Sequence, residues 1–296
     1  MTGEYQTICY EVGCGIATVT LNRPQSMNSI NPIMVRELLQ AFDATDADDT
    51  VRVVILTGTG ERAFCAGADI TAGAATFDYA QREGALRPDV EPDGNVRDAG
   101  GLVALRIFNS LKPVIAAING AAVGAGATIP LAADLRLAAT TARFGYVFAR
   151  RGIVPESASG WFLPRIVGIS TALEWCLSGR LVPATEALER GLVRSVHPPG
   201  ELLAAAREIA REIVENAAPV SVALTRQMLW RMLGASHPME AHRLDSWLVQ
   251  SMGPGPDAHE GVAAFLEKRL PAFGGRVSTD MPDPFPWWTE PGFQAE

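Results

Sequence analysis

Residues 15–22 (GIATVTLN) alternate along the chain and are rich in β-branched side chains, which predicts a strand. NRPQSMNSI follows as a turn, with Pro24 among polar residues. Residues 31–43 (NPIMVRELLQAFD) then carry an apolar stripe at helical spacing. Asn31 stands where an N-cap belongs and Pro32 in the first turn, so a helix is expected there. The run VRVVILTG at 51–58 is continuously apolar, as for a strand covered on both faces. Residues 71–99 break the pattern with Gly, Ala, Asp, Pro and charges, and predict a mobile loop. Helical periodicity resumes at 100–111 (GGLVALRIFNSL), and 113–120 (PVIAAING) predicts a second buried strand. GAGATIPLAADLRLAA then reads as helix followed by strand.

Strands alternating with helices predict an α/β class built on βαβ units. From 201 onward the pattern is helical almost throughout: ELLAAAREIAREIVENA, PVSVALTRQMLWRMLG, MEAHRLDSWLVQSM and DAHEGVAAFLEKRL. We therefore divide the chain into a core over 1–200, a helical region over 201–276 and a Pro- and aromatic-rich tail over 277–296. Trp287 and Trp288 in the tail need cover, and a neighbouring subunit is the cover expected from sequence.

Composition narrows the function. The 296 residues carry a net charge of −8 and no basic stripe, which argues against nucleic acid. An anionic small ligand stays open, because local charge differs from the total. Cys9, Cys14, Cys65 and Cys176 lack metal or redox spacing and read as reduced thiols. The four histidines form no metal-binding pattern. The N-terminus has no basic-then-apolar signal and no apolar run approaches about 18 residues. A cytoplasmic protein without a membrane partner or metal is expected.

Two small-residue turns are the candidate chemistry. AFCAGADI (63–70) follows the first buried strand, and NGAAVGAGATI (119–129) follows the second and opens a helix. Small residues let a ligand approach the backbone, and a helix N-terminus presents free N–H groups. Two such turns can hold one oxygen between two donors, each worth roughly 3 kcal/mol to a developing oxyanion. Close helix–sheet packing is the other explanation of GAGA.

These two turns, together with TLNRPQSMNSI, KPVIAAINGAAVGAGATIPLAADLRLA and the closing GVAAFLEKRLPAF, resemble the crotonase (enoyl-CoA hydratase/isomerase) superfamily over roughly residues 5–275. The resemblance implies a spiral of ββα units and a helical C-terminal region that builds trimers, often paired into hexamers. It implies an acyl-CoA thioester substrate, with coenzyme A part of that substrate and no separate cofactor. The thioester carbonyl would be bound by the N–H groups of Ala68 and Ala125. Ala125 stands where the family most often has Gly, which a negative φ would tolerate. Coenzyme A contacts are implied for Ser26, Ala66, Asp69 and Ile70, although Asp69 also suits a turn or N-cap.

The reaction is set by the acids. The two hydratase glutamates would fall at Thr128 and at Phe148, the last residue of FGYVF, and neither residue is a base at neutral pH. GIVPES instead puts Glu156 where several isomerases of the superfamily carry a single acid. The resemblance thus favours an enoyl-CoA isomerase with Glu156 as acid and base. Phe148 and Trp161 are expected to wall the carboxylate, with Thr128 packing nearby. Glu156 also suits a helix start after Pro155. Hydration by Glu156 alone, another thioester-enolate reaction (racemase, decarboxylase or hydrolase) and acyl-CoA binding without turnover remain alternatives. Ala68 and Ala125 are 57 residues apart, longer than the family usually has, and residues 84–98 are expected to cover the acyl pocket.

Overall fold

The structure is a computed structural model that describes residues 5–71, 73–78, 96–283 and 285–293. It opens with an antiparallel hairpin, β1 (Ile8–Gly13) and β2 (Ile16–Leu21). α1 (Pro32–Ala47) follows, and Asn31 caps it as expected, accepting the Met34 N–H at 2.9 Å. Three units then repeat one arrangement. β3 (Val53–Gly58) leads to β4 (Ala63–Cys65) and α2 (Ala99–Phe108). β5 (Val114–Ile118) leads to β6 (Ala121–Val123) and α3 (Ala125–Thr128). β7 (Leu135–Ala139) leads to β8 (Arg143–Gly145) and, after a turn, α4 (Ser159–Val167).

The first strand of each unit joins one sheet and the second joins another. One sheet has the order β1-β2-β3-β5-β7-β10, with β10 at Ser195–His197. The other has the order β4-β6-β8-β9, with β9 at Leu181–Pro183. Matching order in both sheets makes the chain a spiral of ββα units. β3 and β5 are wholly buried, which explains their uninterrupted apolar runs.

α5 (Ile169–Ser178) and α6 (Ala184–Glu189) flank β9. The helical C-terminal region begins with α7 (Leu202–Asn216), which belongs to the core: Leu202, Ala206 and Ala210 cover Ile55, Ile115 and Leu137 on the outer face of the larger sheet. α8 (Pro219–Met232), α9 (Pro238–Met252) and α10 (Pro256–Glu267) extend beyond it. α8 is tied to the core by buried Arg226, which donates to Asp134 at 2.9 Å and to the carbonyls of Ile107, Phe108 and Ser110 at 2.5–2.7 Å. Those carbonyls lie at the C-terminal end of α2, so one guanidinium closes that helix and joins two regions.

Two expectations change. GAGATIPLAADL makes only one α-turn before Pro130 converts the chain to a 3₁₀ turn over Ile129–Ala132. The tail packs partly on its own chain, with Trp287 and Trp288 still half-buried. Met281, Phe285 and Trp287 pack beside Val220, Leu224, Leu244 and Leu248, and Arg231 lies 3.4 Å over the Trp288 ring. The expected cover over the acyl pocket falls mainly on residues 79–95, outside the described residues.

Candidate active site

The two small-residue turns meet. Ile30 and Ala68 form a single parallel bridge, in which the Ile30 N–H donates to Gly67 O at 2.8 Å and the Asp69 N–H to Ile30 O at 2.9 Å. This pattern uses the flanking groups and turns the N–H of Ala68 to the other side. Ala125 is the first residue of α3, where an N–H has no intrahelical partner. Gly67 brings the turns together: a Cβ there would sit 2.7 Å from Val123 O and 3.6 Å from Ala125 N, and its φ is +96°. Gly124, at φ 55° and ψ −127°, makes the sharp entry to α3. Ala125 is absent from the described residues with positive φ, so its methyl group is accommodated as expected.

One turn further along α3 is Thr128, about 5 Å down the helix axis. Its hydroxyl donates to Glu156 Oε1 at 2.6 Å. Ser157 Oγ donates to Oε2 of the same carboxylate at 2.5 Å. Thr128, expected beside the substrate, is fully buried and holds the acid. Glu156 itself lies on the turn before α4 rather than within the helix; the positive φ of Ser157 (58°) and Ala158 (51°) separates it from the first helical residue. This argues against its being there only as a helix-start acid.

Burial pushes the Glu156 carboxyl up to about 7. The hydroxyls of Ser157 and Thr128 pull it down, while a hydrogen bond to Asp98 and the charge of Asp98 push it up. Cys65, at the end of β4, lies within the field of Glu156, and burial holds its thiol up at about 12. The two turns thus leave the N–H groups of Ala68 and Ala125 outside the bridge and helix bonds around them, and one turn along α3 Thr128 holds a carboxyl group poised near neutrality.

The match with the enoyl-CoA hydratase/isomerase family model spans residues 11–276. The chain belongs to this family. It is 42% identical to the enoyl-CoA hydratase ACTT3 of Alternaria alternata, across 88% of this chain and 83% of that one. It is 34% identical to the 1,2-epoxyphenylacetyl-CoA isomerase of Escherichia coli, across 88% and 96%. The crystal structure of enoyl-CoA hydratase from Bacillus anthracis superposes with a TM-score of 0.79 at 32% identity, covering 92% of this chain and 100% of that one.

For this member of the hydratase/isomerase family, the remaining predicted residues fall into two groups. Ser26, Ala66, Asp69 and Ile70 gather where the NRPQSMN turn is stitched to CAGAD. Ala66 N–H donates to Met27 O at 3.0 Å, and Asp69 pairs with Arg23 at 2.8 Å. Burial alone would raise the Asp69 carboxyl, but bonds from Arg23 and Thr71 hold it below its ordinary value. Ser26 Oγ donates to Arg23 O, and Ile70 is 63% exposed at the rim. Phe148 is buried in the core at the start of the turn leading to Glu156. The Trp161 ring joins an edge-packed cluster with Phe108, Phe162 and Trp230 and lies under Arg165.

One tight flank beside Glu156 is formed by glycine backbone. A Cβ on Gly100 would lie 2.0 Å from Glu156 Oε2 and 2.2 Å from Ser157 Oγ, so no other residue fits without displacing the acid. Asp98, Gly100 and Ser157 were not singled out by sequence. Their signal was local: Asp before a Gly-Gly pair and an apolar run is an N-cap pattern.

Proposed function

We propose that the protein shifts the double bond of an enoyl-CoA thioester, with Glu156 carrying the proton. The observation behind this reading is the position of the Glu156 carboxyl, bonded to Thr128 one turn from Ala125. The hydratase positions 128 and 148 hold no acid. In the reaction, the thioester oxygen accepts the N–H groups of Ala68 and Ala125. The Glu156 carboxylate takes a proton from C2 of a 3-enoyl thioester. The electron pair released moves onto the thioester oxygen and gives a dienolate, whose charge the two donors stabilise. Protonated Glu156 then returns the proton at C4, leaving the double bond between C2 and C3. Coenzyme A enters and leaves as part of the substrate, and the chemistry requires no further cofactor.

Hydration is the second reading, supported by the likeness to the enoyl-CoA hydratase of Alternaria alternata and by the second carboxyl group, Asp98, beside Glu156. Isomerisation of a 3-enoyl-CoA and water addition to crotonyl-CoA, assayed side by side, separate the two. Glu156→Gln should lower the favoured activity by about a thousandfold while acyl-CoA still binds. Unchanged turnover in that variant would remove Glu156 from the mechanism. Acyl-CoA binding with no product on any enoyl thioester would instead indicate a binding protein.

A further inference from the structure

We propose that Asp98 is a positioning residue for Glu156, and that the two carboxyl groups work as a pair braced by Ser157. The catalytic part of this inference rests on the proton-transfer reading above; the pairing itself does not. Asp98 is the N-cap of α2, and its Oδ1 accepts the N–H of Gly101 at 2.5 Å. The same oxygen accepts the N–H of Ser157 at 3.1 Å. Ser157 in turn donates its hydroxyl to Glu156. One serine thus receives its backbone orientation from one acid and passes it to the other.

The backbone supports this order of cause. Ser157 and Ala158 are consecutive non-glycine residues in the left-handed region, a conformation that side chains with a Cβ rarely adopt. Such strain persists where surrounding contacts over-determine it. Turning Ser157 back to a right-handed conformation would withdraw its N–H from Asp98 and its Oγ from Glu156 together. Ser157 is fully buried, and Gly100 leaves the space in which Glu156 and Ser157 meet.

Among the described residues, the titratable groups facing Glu156 are Asp98, from the N-cap of α2, and the thiol of Cys65, from β4. Thr128 of α3 and Ser157 contribute hydroxyl groups only. Of the two carboxyls, both partly buried, Asp98 is anchored on backbone N–H groups at a helix N-terminus, whereas Glu156 is held by hydroxyls. Two acids in unlike surroundings divide the roles: one keeps its place while the other takes and returns the proton.

The test is a titration of the full chain labelled with carboxyl-¹³C glutamate, with Glu156→Gln identifying the Glu156 signal. In the unsubstituted protein that signal should titrate near pH 7. Asp98→Asn keeps an N-cap oxygen but removes the charge, and should lower the midpoint by about one pH unit. Asp98→Ser gives the same reading if Asn disturbs the fold. A midpoint unmoved in a folded Asp98 variant overturns the pairing, as does lost turnover with no change in the pH profile. A shifted midpoint in a protein that turns over no enoyl thioester leaves the pair standing and removes the proposed reaction.

Discussion

A carboxyl group near neutrality has consequences for both rate and stability. As a base Glu156 must be ionised, so kcat/KM should rise with pH through a midpoint near 7, read from initial rates between pH 5 and 9. Stability should run the other way. Between the ordinary value of 4.5 and the folded value of about 7, the unfolded chain has released this proton and the folded one keeps it. Folding therefore weakens as pH rises through that window, by up to about 3 kcal/mol from this residue. Glu156→Gln should gain on the unsubstituted protein by about 2 kcal/mol between pH 5 and pH 8 in urea unfolding. Gly100→Ala should cut kcat by about tenfold to a hundredfold, because a misplaced catalytic group is costly even without loss of fold. Its thermal midpoint should fall by a few degrees with the far-ultraviolet dichroism unchanged, since the added methyl group must push aside Glu156 and buried Ser157. Glu156 was legible in sequence because the acids expected at 128 and 148 were missing. Asp98 and Gly100 were not, because only the fold carries α2 across to the turn before α4.

Among the elements, legibility followed length and burial. β3 and β5 announce themselves as apolar runs because both faces are covered. The three-residue strands β4, β6, β8 and β9 are too short to show alternation, so the second sheet had no pattern to read. The chain after Gly124 looked helical from composition, yet Pro130 limits it to a single α-turn. α2 has the greatest consequence for the site. Asp98 and Gly100 stand at its start, and Arg226 of α8 receives the carbonyls at its end. Arg226→Met should cost about 3–5 kcal/mol, since it breaks a buried ion pair with Asp134 and the guanidinium's hydrogen bonds to three carbonyls, although Asp134 keeps the Val114 and Trp230 N–H groups. Equilibrium unfolding in denaturant measures this.

At the scale of the whole molecule, α9 and α10 turn Trp247, Val249, Val262, Phe265 and Leu266 outward, with Phe265 82% exposed. Val262, Phe265 and Leu266 share one side of α10, and an exposed apolar stripe of this kind suits an interaction surface. We expect copies of the chain to meet there, as trimers or pairs of trimers. Phe265→Asp should lower the mass measured by sedimentation while leaving the far-ultraviolet dichroism unchanged; an unchanged mass would place the contact elsewhere. Sequence reading located the helical region but not its division: α7 is part of the sheet's cover, and the tail packs on α8 and α9. Both facts depend on which faces meet, which periodicity alone does not specify.

The gap at Gly100 also bears on inheritance. A glutamate at 156 reaches the space that a methyl group at 100 would occupy. A shorter aspartate would stop one methylene short of that space, but Ser157 Oγ, 2.2 Å from the same point, would still meet the methyl group. Three positions are therefore tied: the longer acid should travel with glycine, and a larger residue at 100 with both a shorter acid at 156 and a smaller residue at 157. Position 100 thus carries a record of how far the proton carrier extends.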